Sequence, residues 1–158
     1  YVQALNLIGI EQLESDTNLA TEVKAVSLKS LNEPKRAIEH YEALYKQNRT
    51  VSLAYELADL KIQTDDITGA TLHITYGIAN ATKDMMMPYY ETQTPYQVPV
   101  LAGFMYLKAI AKFRENPKTN HDASISILNE ALELAPNFNM ANLALEAIQA
   151  QKDAQKTE

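Results

Sequence analysis

Few residues in this sequence have the type and spacing that chemistry requires. The three histidines, His40, His73 and His121, are the candidates for holding a metal ion. Asp65-Asp66 and the nearby pair Glu14 and Asp16 are the candidates for sharing a proton or a cation. Neither set has the pattern that such work demands. His40 and His73 fall at equivalent places in two similar segments, on a face expected to be solvated, and His121 falls in a loop between helices. No HExxH or comparable ligand spacing is present. Both carboxylate pairs sit at expected helix ends, where capping is the better explanation because Asp is strongly preferred there. There is no nucleophile motif and no glycine-rich phosphate loop, and the absence of cysteine excludes disulfides and thiolate zinc sites. The expectation is a protein with no catalytic residue, no metal and no cofactor.

The elements that would position any site read as helices. Ile67, Ala70, Ile74 and Ile78 recur on one face of a 3.6-residue helix. Ala37, Ile38, Tyr41, Leu44 and Tyr45 do the same, as do Ile125, Leu128, Ala131 and Leu132. Asn32-Glu33-Pro34 can cap a helix and place Pro in its first turn, where a missing N–H costs nothing. Asp65-Asp66 offers a cap and a favourable charge at the next start. Asn116 to Asp122 reads as a loop, and Ala135-Pro136-Asn137 as a stop and restart. Only 4 Gly and 6 Pro leave little room for the turns of an all-β fold. A net charge of −6 disfavours binding to a phosphate backbone, and no apolar run approaches the roughly 20 residues of a membrane span.

The helical segments repeat. Ala37 and Ala70 stand 33 residues apart in similar surroundings, and a further step back of 33 reaches Ala4. Ser124-Ile-Ser-Ile-Leu-Asn-Glu-Ala-Leu-Glu-Leu-Ala-Pro136 places a small residue, Leu128, the small Ala131 and Pro136 in series. Leu31 to Tyr45 gives Ala37 and Tyr41 at the same spacing, with Leu44 departing from the expected small residue. Ala54 to Ile78 gives Leu57 and Ala58, then Ala70, Ile74 and Gly77. With these motifs the chain resembles the tetratricopeptide repeat family, whose roughly 34-residue unit is a helix–turn–helix. There is no Trp for the family's aromatic position, and Pro is kept only at Pro136. From Ala70 to Ser124 the spacing is well over one period, so an insert is expected near Met85–Pro99 and the loop near 116–122 is lengthened.

The resemblance implies an all-α fold, a right-handed superhelix of stacked antiparallel helix pairs. Residues 1–152 would form one repeat domain: a partial repeat at 1–16, repeats at 17–50 and 51–84, an irregular insert at 85–99, a repeat at 100–136 and a closing helix at 137–152. In the closing helix Met140, Leu143, Ala144, Ala147 and Ile148 would face inward, and 153–158 would be a polar tail. The resemblance also implies a concave binding face lined by first helices, which carries over to Glu22, Val26, Lys29, Tyr55, Asp59, Ile62 and Gln63. Some co-chaperone relatives clamp a C-terminal carboxylate with Lys and Asn, but Glu22 and Val26 stand at those places, so that clamp is not expected.

The segment Met85–Pro99 is the most unusual, with Met86, Tyr89, Tyr90 and Tyr96 among residues suited to an interface. Its prolines keep it from being helical, and its rings are expected to dock on first-helix residues such as Tyr55 or Ile62. The function expected is a non-catalytic scaffold that binds a protein or peptide, not nucleic acid and not by membrane insertion. The alternatives are a structural homo-oligomer joined through exposed repeat ends, or a small-molecule-binding helical domain. The chain opens on Tyr1 inside an apolar pattern, which reads as a trimmed chain, so a signal peptide would not be visible and the compartment is left open.

Overall fold

A computed structural model describes residues 1–155. In chain order the elements are α1 (Val2–Ile8), α2 (Asn18–Ser30), α3 (Pro34–Gln47), α4 (Val51–Gln63), α5 (Ile67–Asn80), β1 (Met86–Tyr89), β2 (Tyr96–Pro99), α6 (Val100–Glu115), α7 (His121–Leu134) and α8 (Asn139–Gln155). The fold is mostly helical, and consecutive helices pack on one another. The chain forms two compact units, Tyr1–His73 and the chain from Ile74 onward, divided within α5.

In the first unit the 33-residue period is written into the backbone. Thr17 and Thr50 cap α2 and α4 identically, each hydroxyl accepting from the N–H three residues on, Ala20 and Leu53, at 3.2 Å. Thirty-three residues also separate Asn32 (φ 59) and Asp65 (φ 65), which end α2 and α4 in the left-handed conformation. Asn and Asp tolerate that region better than other side chains. The turns close alike, with Glu33 N–H on Leu28 O at 2.9 Å and Asp66 N–H on Lys61 O at 2.8 Å, the longer bond of a Schellman motif. Asn32 therefore closes α2 rather than capping α3, which starts at Pro34 without a side-chain cap bond. Asp66 does cap α5, accepting from Gly69 N–H at 2.9 Å.

α1 packs on α2, α2 on α3 and α3 on α4, around Leu5, Ala25, Leu28, Ala37, Tyr41, Leu57 and Leu60. Ala25, Ala37, Ala58 and Ala70 are all fully buried. Small side chains let helix axes approach to the close end of the usual 8–10 Å.

In the second unit α6 packs on α7 and α7 on α8, around Val98, Ala102, Ala109, Leu128, Phe138, Ala141 and Ile148. Ala131 is fully buried and Ile74 nearly so, whereas Pro136 is exposed just beyond the end of α7. The closing helix is longer than its sequence suggests and runs to Gln155, so residues 153–155 of the expected tail are helical, and the rest of that tail lies outside the described residues. Leu143 and Ala147, expected inward, are exposed, while Ile148 is buried and Met140, Ala144 and Leu145 are half-buried.

The expected irregular insert is a β-hairpin, which adds strand to a chain read as all-α. β1 and β2 are antiparallel, pairing Met86 with Pro99, Met87 with Val98, Pro88 with Gln97 and Tyr89 with Tyr96. Its side chains alternate, Val98 fully buried with Met87, Tyr89 and Tyr96 half-buried, and Met86, Pro88 and Gln97 outward. Both strands are edges, which is where Pro is tolerated in a sheet.

Gly77 has a physical necessity. A Cβ there would lie 2.0 Å from the ring of Phe104, which is fully buried and has no room to retreat. Gly77→Ala is expected to overpack this contact and destabilise the protein by about 1–3 kcal/mol, read as a lowered midpoint in urea or heat. Ser124 presents the opposite case. It stands where Ala37 and Ala70 stand in the other repeats, fully buried, and its hydroxyl has no hydrogen-bond partner among the described residues. Ser124→Ala is therefore expected to stabilise by about 1 kcal/mol, because an unsatisfied buried hydroxyl is removed without loss of volume. An unchanged or lower unfolding midpoint would contradict it.

Candidate functional site

The residues assigned to a binding face lie on α2 and α4. On α2, Glu22, Val26 and Lys29 follow helical spacing along one side, to which the structure adds the exposed Leu19, and Val26 is 39 % exposed. On α4, Tyr55 and Asp59 are half-buried and Gln63 is exposed. An ion pair between Lys29 and Glu56 ties the two helices together. Gln63 donates to the Asp59 carboxylate at 2.9 Å. Ile62 does not belong to this surface. It is only 5 % exposed and packs inward.

Electrostatics distinguish this face. Asp59 forms no ion pair among the described residues, and burial, with the neighbouring Glu56 carboxylate, holds its carboxyl above the ordinary range. Lys29 and the Gln63 amide pull the other way. Beneath them Tyr41 on α3 is buried, and desolvation together with Glu56 and Glu22 raises its phenol well above the ordinary value. The carboxylates of Glu22 on α2 and Glu56 on α4 thus both act on this one phenol.

The hairpin builds a different surface. Tyr89 stacks on Tyr96 at 5.7 Å between ring centroids and tilts against Phe138 at 4.7 Å. The Tyr96 hydroxyl donates to Glu91 and receives a long contact of 3.4 Å from Met140 N–H, in the first turn of α8. Burial and the Glu91 carboxylate push this phenol up to about 12. Within their own unit these rings contact Phe138, Glu91 and Met140. Met86 and Tyr90 remain exposed.

The histidines are placed differently from expectation. His40 is 1 % exposed rather than solvated, and its ring nitrogens lie 2.7 Å from Gln12 Oε1 and 2.8 Å from Ile10 O. His121 is the first residue of α7, not a loop residue, and is buried edge-on to Phe113. His73 is half-buried and meets Tyr45 edge-on. No group of three His, Cys, Asp or Glu able to hold a metal occurs among the described residues.

Sequence reasoning also missed the segment 9–17. Gly9, with φ 79, turns the chain out of α1 into it. The fully buried Lys24 then anchors it, bonding to Glu11 O at 2.8 Å and to Asp16 Oδ2 at 2.7 Å. Asp16 is therefore a salt-bridge partner, and Lys24 holds its carboxyl below the ordinary range. A signal existed, since Lys24 occupies the place in α2 that the apolar Leu57 occupies in α4.

The class of protein so defined is a mostly helical one of consecutively packed helices, with a β-hairpin set between two helix pairs. No helix among the described residues is long and apolar enough to cross a membrane. Compared with family models and with curated proteins, the chain matches none.

The Asp59 charge works against folding. Its folded pKa lies above its unfolded value, so the cost is absent below the ordinary Asp range and grows as pH rises through the raised pKa. Asp59→Asn is expected to unfold at a higher temperature than the parent chain at neutral pH. The advantage should close as pH falls below about 4. An Asn variant less stable at neutral pH, or an advantage constant down to acid, would refute this assignment.

Proposed function

We propose that this chain is a tetratricopeptide-like scaffold, its helix pairs wound as a right-handed superhelix, that binds a protein or peptide along the α2/α4 face and catalyses nothing. The observation that carries the reading is the convergence of two equivalent helices on one surface. α2 and α4 start with the same Thr cap and end in the same left-handed turn, 33 residues apart, and are tied by Lys29 and Glu56. The two helices present the exposed Leu19, Glu22 and Val26 with the half-buried Tyr55 and Asp59, a mixture suited to protein recognition. A carboxyl that burial holds above its ordinary range fits a residue kept for binding rather than stability.

A second reading, a homo-oligomer, draws on α1, where Leu7 is 86 % exposed and Val2 and Ile8 are also exposed, while Leu5 packs inward on α2. The two are separated by affinity capture from the native source with the parent chain and with Val26→Arg, together with light scattering. The scaffold reading expects a partner retained by the parent chain and lost, by about tenfold or more, with Val26→Arg. Capture unaffected by Val26→Arg would refute it. Concentration-dependent dimers dispersed by Leu7→Lys would favour the oligomer instead.

A further inference from the structure

We propose that the α2/α4 face takes a basic amphipathic peptide, whose aliphatic side chains lie on Leu19 and Val26 and whose lysine or arginine answers Glu22 and Asp59. The proposal rests on the scaffold reading above and names the partner class for that face. Leu19 is 70 % exposed and lies two turns from Val26 on the same side of α2, with Glu22 between them. Such spacing offers an apolar track with a carboxylate in its middle.

The charges on this face do not balance. Glu22, Glu56 and Asp59 supply three carboxylates, and the cation that accompanies them, Lys29, is already paired with Glu56. Glu22 and Asp59 form no ion pair among the described residues. Two negative charges are left for a partner to answer. An acidic segment or a free C-terminal carboxylate would meet like charge here, a juxtaposition that costs several kcal/mol in an interface. A metal ion does not fit either, because these carboxylates do not gather closely enough to share one. Cationic side chains do fit, since each can answer a separate carboxylate while its methylenes cover apolar surface. The Asp59 carboxyl is held above its ordinary range, and an arriving cation relieves that condition.

The experiment uses the full chain against a displayed library of short random peptides, followed by affinity measurements on a selected peptide. Selected sequences should carry net positive charge interspersed with aliphatics. The double variant Glu22→Gln with Asp59→Asn should weaken binding by about tenfold or more. A control pair with the same charge change on exposed sites elsewhere, Glu130→Gln with Glu146→Gln, should change it by less than about twofold. Thermal unfolding of each variant confirms that it folds. Acidic or neutral peptides that Val26→Arg displaces would overturn the basic-partner inference and leave the scaffold reading standing. Basic peptides weakened equally by the control pair would reduce the effect to net charge and overturn it too. No selected peptide, or peptides indifferent to Val26→Arg, would overturn both.

Discussion

Two helix axes can approach closely only where their side chains are small, and this protein depends on that constraint throughout. Ala25, Ala37, Ala58, Ala70, Ala109 and Ala131 are fully buried, spread over both units. At Gly77 the constraint is strictest, because the ring of Phe104 occupies the space that any side chain would need. Larger residues such as Leu57, Leu60 and Leu128 then fill what the small ones leave open. Dense packing of this kind makes single methyl groups matter, since interiors have few voids to absorb them.

Around those contacts the turns set direction. The hand-overs from α2 to α3 and from α4 to α5 use the same chemistry, a left-handed Asn or Asp followed by the start of the next helix. The connection between α6 and α7 is different and longer, 116–120, and is tied down by Asn120, which donates to Lys112 O at 2.8 Å. Where the repeat is interrupted the chain forms a hairpin instead, and its rings close over Phe138 at the start of α8. A two-stranded hairpin is marginal alone in water, so this packing is what makes it stable.

On the α2/α4 face, the proposed binding surface, carboxylates from two helices outnumber the one lysine among them, and two of them act on the phenol of the buried Tyr41. By contrast, the buried charges at Lys24 and Asp16 are matched to each other and hold a chain segment in place. Charge left unmatched at a surface is available to a partner under the proposed function, whereas charge matched in the interior positions a segment of the chain.

Helices, their ends and their 33-residue period were legible from local pattern alone, because 3.6-residue spacing, caps and proline act within a few residues. The small residues Ala37, Ala70, Gly77 and Ala131 were legible for the same reason, as was the acidic and aliphatic content of α2. What lay beyond reach came from contacts distant in sequence. The burial of His40 depends on Ile10 and Gln12, 30 and 28 residues away, and that of Lys24 on Asp16 and Glu11 across a loop. The hairpin at 86–99 was hidden because its prolines and tyrosines signal only that helix is excluded, and strand pairing needed the register of Tyr89 on Tyr96. Ile62 and Gln63 are neighbours in sequence, yet one is core and the other surface, a choice made by where α4 meets its neighbours. The sequence by itself determined the helices and their repeat, since those follow from short-range periodicity. Tertiary structure alone decided which polar side chains were buried, because that depends on acceptors the fold brings from far along the chain.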